Sequence, residues 1–261
     1  MNPRVTSWSP GSPAAWAVIA LLLTGCAVEG SLEPSSGNGG GAQSLLPGQA
    51  SADYTVTIDY GETTASFEAQ YYQGADPITG TTISFSDGES VSVNGTPLQE
   101  ESLVGVFYAG EGLLVDPGQP YTFSLTVPGK GSFGTPVAMV GPAGITAPAG
   151  GATFSSAAAL TVTWSVSEAG TVDEVDALFE PNGDGELATA TATAASGATQ
   201  VTFSATELQA LYTQAVGSAG GSALGTLTLK RSRLGDTGAP FLGGQLQLSS
   251  EVDQLSVTLT K

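Results

Sequence analysis

The chain has 261 residues, 41% hydrophobic and 7% aromatic, enough for one large domain or two small ones. Its 24 Asp and Glu against 6 Lys and Arg give a formal charge of −18, which repels phosphate backbones and argues against a nucleic-acid partner. With no His and one Cys, no Ser-His-Asp triad, Cys-His pair or HExxH zinc site can be assembled.

Arg4 is the only charge before Glu29, and Ala14 to Leu23 is an unbroken apolar stretch. It is too short for the ~20 residues of a membrane-spanning helix and reads as the core of an export signal. Directly after it stands Leu23-Thr24-Gly25-Cys26. A branched aliphatic, two small residues and a cysteine resemble the lipobox of bacterial lipoproteins. The resemblance implies cleavage before Cys26, a covalent lipid on its sulfur and its new amino group, and a membrane as partner through that anchor. It makes residues 1–25 a signal peptide. Ala27, where an Asp would retain such a protein at the inner membrane, implies the outer membrane of the cell envelope, on its periplasmic or surface face. Residues 26–50 are rich in Gly, Ser and Pro and read as a flexible tether spanning roughly 25 Å.

From residue 51 a two-residue period takes over. Tyr54, Val56, Ile58 and Tyr60 alternate with Thr and Asp, and Ala65, Phe67, Ala69 and Tyr71 repeat the pattern. Further strands are expected at Ile83/Phe85, Val91/Val93, Val104 to Tyr108 and Tyr121 to Val127. Turn signals at Gly61, Asp76-Pro77, Asp87-Gly88, Asn94-Gly95 and Pro117-Gly118 separate them. The spacing predicts a first β-sandwich over 51–133. Gly and Pro crowd residues 128–151, which places a domain junction there and a second sandwich over 134–261. In that half strands are expected at 160–166, 172–179, 188–194, 201–203, 225–231, 245–249 and 255–260. Ile145-Thr146-Ala147-Pro148 followed by Leu160 to Val166, with Trp164 at a core parity, resembles the opening strands of immunoglobulin-like and fibronectin-type modules. The fold class expected is therefore all-β, two tandem immunoglobulin-like sandwiches. One helix interrupts the second. Ser204-x-x-Glu207 is a capping box, Phe203 and Leu208 hold staple positions, and an apolar stripe runs to a stop at Gly217.

Few residues carry chemistry. Gly129 to Gly134 matches G-x-G-x-x-G, yet Thr135-Pro136 follows in place of the helix a dinucleotide site needs, so it reads as interdomain linker. Glu180, Asn182, Asp184 and Glu186 mimic the start of a Ca²⁺ loop, while position 12 is Thr191 rather than a bidentate Glu. That segment is either a Ca²⁺ site in a stabilised adhesion module or an ordinary acidic turn. Arg231 and Arg233, in the only basic cluster, either pair with neighbouring acids or hold an anion. Tyr72 and Phe107 have outward parity and offer rings to a sugar or a protein pocket. The remaining acids are spread evenly, as on a solubilising surface. No cofactor beyond the Cys26 lipid is expected. The function expected is a non-enzymatic, lipid-anchored structural, spacing or binding module with envelope proteins or glycans as partners. The alternative is a carbohydrate-binding or carboxylate-dependent carbohydrate-active protein. In layout and composition the chain resembles acidic lipoproteins of Gram-negative envelopes.

Overall fold

Alternating burial along almost every strand sets the architecture. The computed structural model describes residues 47–75, 81–85, 88–102, 105–218 and 220–261. The signal peptide, Cys26, nearly all of the tether, Val104 and the Asp76-Pro77 turn lie outside these residues, as does Asp87 of the Asp87-Gly88 turn.

In the first half the strands are β1 (Ala50–Ile58), β2 (Thr64–Gln73), β3 (Ser90–Val93), β4 (Thr96–Pro97), β5 (Gln99–Ser102), β6 (Val106–Leu113), β7 (Pro120–Val127) and β8 (Gly131–Ala138). In the second half they are β9 (Ile145–Ala147), β10 (Thr153–Ser155), β11 (Leu160–Trp164), β12 (Val172–Phe179), β13 (Ala188–Thr193), β14 (Gln200–Phe203), β15 (Ser222–Asp236) and β16 (Gln245–Thr260). Helix α1 (Ala205–Val216) stands between β14 and β15. Its capping box is formed: Ser204 Oγ accepts from the Glu207 amide, and Glu207 accepts from the Ser204 amide at 2.7 Å. Phe203 and Leu208 are both buried.

Among the described residues the strands form three sheets. A long one runs β13-β12-β15-β16-β1-β2-β6-β5, with β10 also paired to β16. A four-stranded sheet, β4-β3-β7-β8, covers one end, and a three-stranded sheet, β14-β11-β9, covers the other together with α1. The described residues form an all-β fold with one short helix, a long sheet faced by two smaller ones.

Two cores lie on the same side of the long sheet. The first packs Tyr54, Phe67, Tyr71 and Leu248 against Tyr121, Phe123 and Leu125. Tyr54 stacks on Phe123 with ring centres 4.5 Å apart. The second packs Phe179, Leu227, Leu229 and Leu259 against Val162, Trp164, Phe203 and Leu208. The hairpin β15–β16 serves both. Inward positions on β16 are even at Leu246 and Leu248 and odd at Val257 and Leu259. A register shift between Leu229 and Lys230 absorbs one extra residue and keeps both sets on the core side. Val252, at that shift, packs against both cores.

Several sequence expectations change here. The boundary at 133/134 falls inside β8, which pairs with β7 along its whole length and buries Val137 in the first core. The 245–249 and 255–260 segments are one sixteen-residue strand, whose first part pairs in parallel with β1. Gly129 to Gly134 is not a linker. It turns β7 into β8 as a hairpin, with the Lys130 amide donating to the Val127 carbonyl at 3.0 Å. Ile83 and Phe85 form no strand, and only Thr82 bridges to Tyr72. Asn94-Gly95 is the expected tight turn, both residues having positive φ (48° and 84°).

Candidate functional site

The outer face of the long sheet, away from both cores, carries the positions left over by the alternation. On β1 these include Asp53, Thr55 and Thr57, on β2 Ser66, Glu68, Gln70 and Tyr72, and on β16 Gln245 and Gln247. Pairing brings them together. Thr55 stands beside Gln247 across the parallel pair and beside Glu68 across the antiparallel one, and Asp53 stands beside Gln70. The result is a hollow of about 190 Å³ lined by Asp53, Thr55, Glu68, Gln70, Gln245 and Gln247, with Tyr54 of the sheet beneath.

Its polar groups are partly locked. Asp53 Oδ1 accepts from the Gln245 amide at 2.7 Å, and the Tyr72 hydroxyl donates to Gln70 Oε1 at 2.6 Å. Partial burial raises the Glu68 carboxyl above its ordinary value. Burial, and then the nearby Asp53 and Glu68 carboxylates, push the Tyr72 phenol up to about 12. The hollow thus offers carboxylate acceptors and amides that both donate and accept, with no cation in its lining.

Of the residues singled out by sequence, Tyr72 and Phe107 come to this face. Tyr108 points inward beside Ala69, so its neighbour Phe107 emerges outward on β6, one step beyond that pair and next to Gln70. Both rings are half-buried.

Arg231 and Arg233 do not come here. Arg231 is wholly buried, 0% exposed, between the two cores. Its Nε and Nη2 donate to both oxygens of Asp173 at 2.7 and 2.8 Å, Nη2 also donates to the Val166 carbonyl at 2.7 Å, and Nη1 donates to the Gly141 carbonyl at 3.1 Å. Trp164 Nε1 donates to the same Asp173 at 3.0 Å. Glu168 takes an ion pair from Arg233 and the Gly141 amide at 2.6 Å. As a binding site for an incoming anion the pair is corrected: the guanidinium of Arg231 has no access to solvent, and carboxylates already occupy both arginines. The neighbouring Lys230 bridges Asp176 at 2.6 Å and Glu251 at 3.6 Å. Burial works against its charge, but those two carboxylates prevail and its ammonium pKa rises.

The Ca²⁺-like segment is turned to the end of α1. The amides of Asn182 and Glu186 donate to the carbonyls of Ala215 and Gln214, both at 2.8 Å. Asn182 Nδ2 donates to the Ser222 carbonyl at 2.7 Å, and Asp184 Oδ1 accepts from the Ser218 amide at 3.0 Å. The bonds to Ala215 and Gln214 satisfy helix-end carbonyls that have no partner within the helix. Among the described residues no three His, Cys, Asp or Glu group closely enough to hold a metal ion. Nor is any described helix long and apolar enough to cross a membrane.

Sequence reasoning missed Asp53, Glu68, Gln70, Gln245 and Gln247. Their outward parity was readable, whereas their neighbourhood depends on the β1–β16 pairing.

No protein-family model and no curated protein matches this sequence. Solved structures similar in part are tandem modules. The I9–I11 tandem of titin is 13% identical over 81% of this chain, which spans 65% of its length, with a TM-score of 0.19. The IG1 and IG2 domains of DIP-gamma are 9% identical over 77% of this chain and 98% of theirs, TM-score 0.19. The FN1–FN3 domains of chicken CNTN1 are 14% identical over 79% of this chain and 67% of theirs, TM-score 0.20. Superposition at this level transfers neither residues nor ligands.

Proposed function

We propose that this chain is a lipid-anchored cell-envelope protein, without a catalytic role, whose sandwich unit presents a binding surface at the membrane. The observation that supports this most strongly is the position of the sole cysteine. Cys26 closes the Leu23-Thr24-Gly25-Cys26 motif directly behind the apolar run, and β1 begins at Ala50, 24 residues later (50 − 26). Two or more acyl chains on one residue hold a protein to a bilayer durably, each buried CH₂ contributing about 0.8 kcal/mol. The tether then leaves the unit free to meet envelope proteins or glycans. Ala27 after the cysteine supports the outer membrane.

Expression of the full chain in a Gram-negative host with labelled palmitate tests the reading. Label should enter the protein, mass spectrometry should find the mature chain starting at a triacylated Cys26, and Cys26→Ser should abolish both label and membrane retention. A wild-type chain cut elsewhere, or left without lipid, overturns it.

A further inference from the structure

We propose that the hollow over β16, β1 and β2 is a saccharide site that takes one ring of a neutral, hydroxyl-rich glycan. The inference gives a ligand class to the binding surface proposed above, and rests on that reading of the chain as a binding module but not on the anchor.

Sugar hydroxyls both donate and accept, and each needs a partner when it leaves water. Asp53 and Glu68 accept, while Gln70, Gln245 and Gln247 can do either. Tyr72 and Phe107 stand on the same face beside Gln70, at the rim of the hollow rather than in its lining, where the C–H side of a pyranose can reach an aromatic ring. Two of these groups are held before any ligand arrives. The Gln245 amide pins Asp53, and the bond to Gln70 lays the Tyr72 side chain along β2 toward the hollow. Such fixing lowers the ordering cost of binding.

Charge and size narrow the class. Two carboxylates with no cation in the lining, on a chain of net charge −18, repel sulfated, phosphorylated and uronic-acid sugars. A volume of about 190 Å³ falls below the roughly 300 Å³ where pockets for drug-sized ligands begin. It suits a single ring, and because the hollow opens on a sheet face, the rest of a chain can continue across the strands.

The test uses the full-length protein in a detergent without a sugar headgroup. Isothermal titration is run against maltohexaose, cellohexaose, laminarihexaose and N-acetylchitohexaose, with a sulfated oligosaccharide in parallel. At least one neutral series should bind. Tyr72→Ala and Gln247→Ala should each weaken it tenfold or more while the melting temperature stays close to wild type, and Tyr60→Ala, at an exposed turn outside the hollow, should leave it unchanged. Absence of binding to every neutral series overturns the proposal. So does binding that survives both hollow variants, or equal binding of the sulfated probe. Blank titrations with a correctly lipidated protein remove the saccharide site and leave the anchor, while sugar binding by an unlipidated chain does the reverse.

Discussion

Removing the charge of Asp173 while keeping its shape should show how much the joint between the two cores depends on one buried ion pair. Asp173 is 5% exposed and binds Arg231 through both oxygens, and Arg231 is entirely covered. In Asp173→Asn the amide nitrogen must face either the guanidinium or the Trp164 N–H, so a donor meets a donor whichever way the side chain turns. Loss of one partner from a buried pair costs about 3–5 kcal/mol, because the other charge stays buried. Glu168, at 3.7 Å from Arg231 Nη1, still supplies a counter-charge, which places the expected cost near the lower bound, about 3 kcal/mol. For a chain of this size that corresponds to a fall in melting temperature of about 6–12 °C. Urea unfolding should be followed by circular dichroism and by the fluorescence of Trp164, the only Trp after Trp8 and Trp16. The double variant Asp173→Leu with Arg231→Met removes both charges and should recover much of the loss, since apolar replacements for a buried pair are often neutral. The reasoning is refuted if Asp173→Asn unfolds within about 1 kcal/mol of wild type, or if the double variant is as unstable as the two single changes added together.

Alkaline titration should reveal the tyrosine core. Burial pushes Tyr54, Tyr72 and Tyr108 up to about 12 and raises Tyr71 and Tyr121 from an ordinary value of 10.0. The folded state therefore holds these protons more tightly than the unfolded one, and the stability they contribute is intact below pH 10 and lost as pH rises toward 12. Phenolate absorbance should appear together with loss of circular dichroism, and all seven tyrosines ionising near pH 10 in a folded protein would contradict it. Gly185→Ala should destabilise by about 1–3 kcal/mol in urea, because a methyl group there would run into the Ala215 carbonyl at the end of α1. Gly48→Ala, with open space around it, should be neutral in the same assay. A fragment of residues 134–261 lacks β1 and most of β7–β8, leaving Leu246 and Leu248 without the strands they pack against. It should aggregate or melt without cooperativity, and a monomer with a sharp transition would show instead that the second core suffices.

Most strands were legible because one face of each is apolar and the other is not. β1, β2, β7, β12 and β13 begin and end within a few residues of where the two-residue period does. The reading weakened where inward positions are polar. Arg231 and Ser250 face the core side, so the alternation that marks β15 and β16 looked broken and one hairpin was read as three short strands. β5 is a fully exposed edge strand, Gln-Glu-Glu-Ser, with no apolar face to betray it. The junction at 128–151 was misread for a related reason. Its glycines and prolines signal turns, but local composition does not distinguish the turn of a hairpin from a linker between domains.

The outer-face hollow was less accessible still. Parity along a strand says which side chains look away from the core, and on that basis Tyr72 and Phe107 could be chosen. It says nothing about which strands are neighbours. Asp53 and Gln245 come together only because the last strand returns to lie parallel to the first, a pairing between segments at opposite ends of the folded unit.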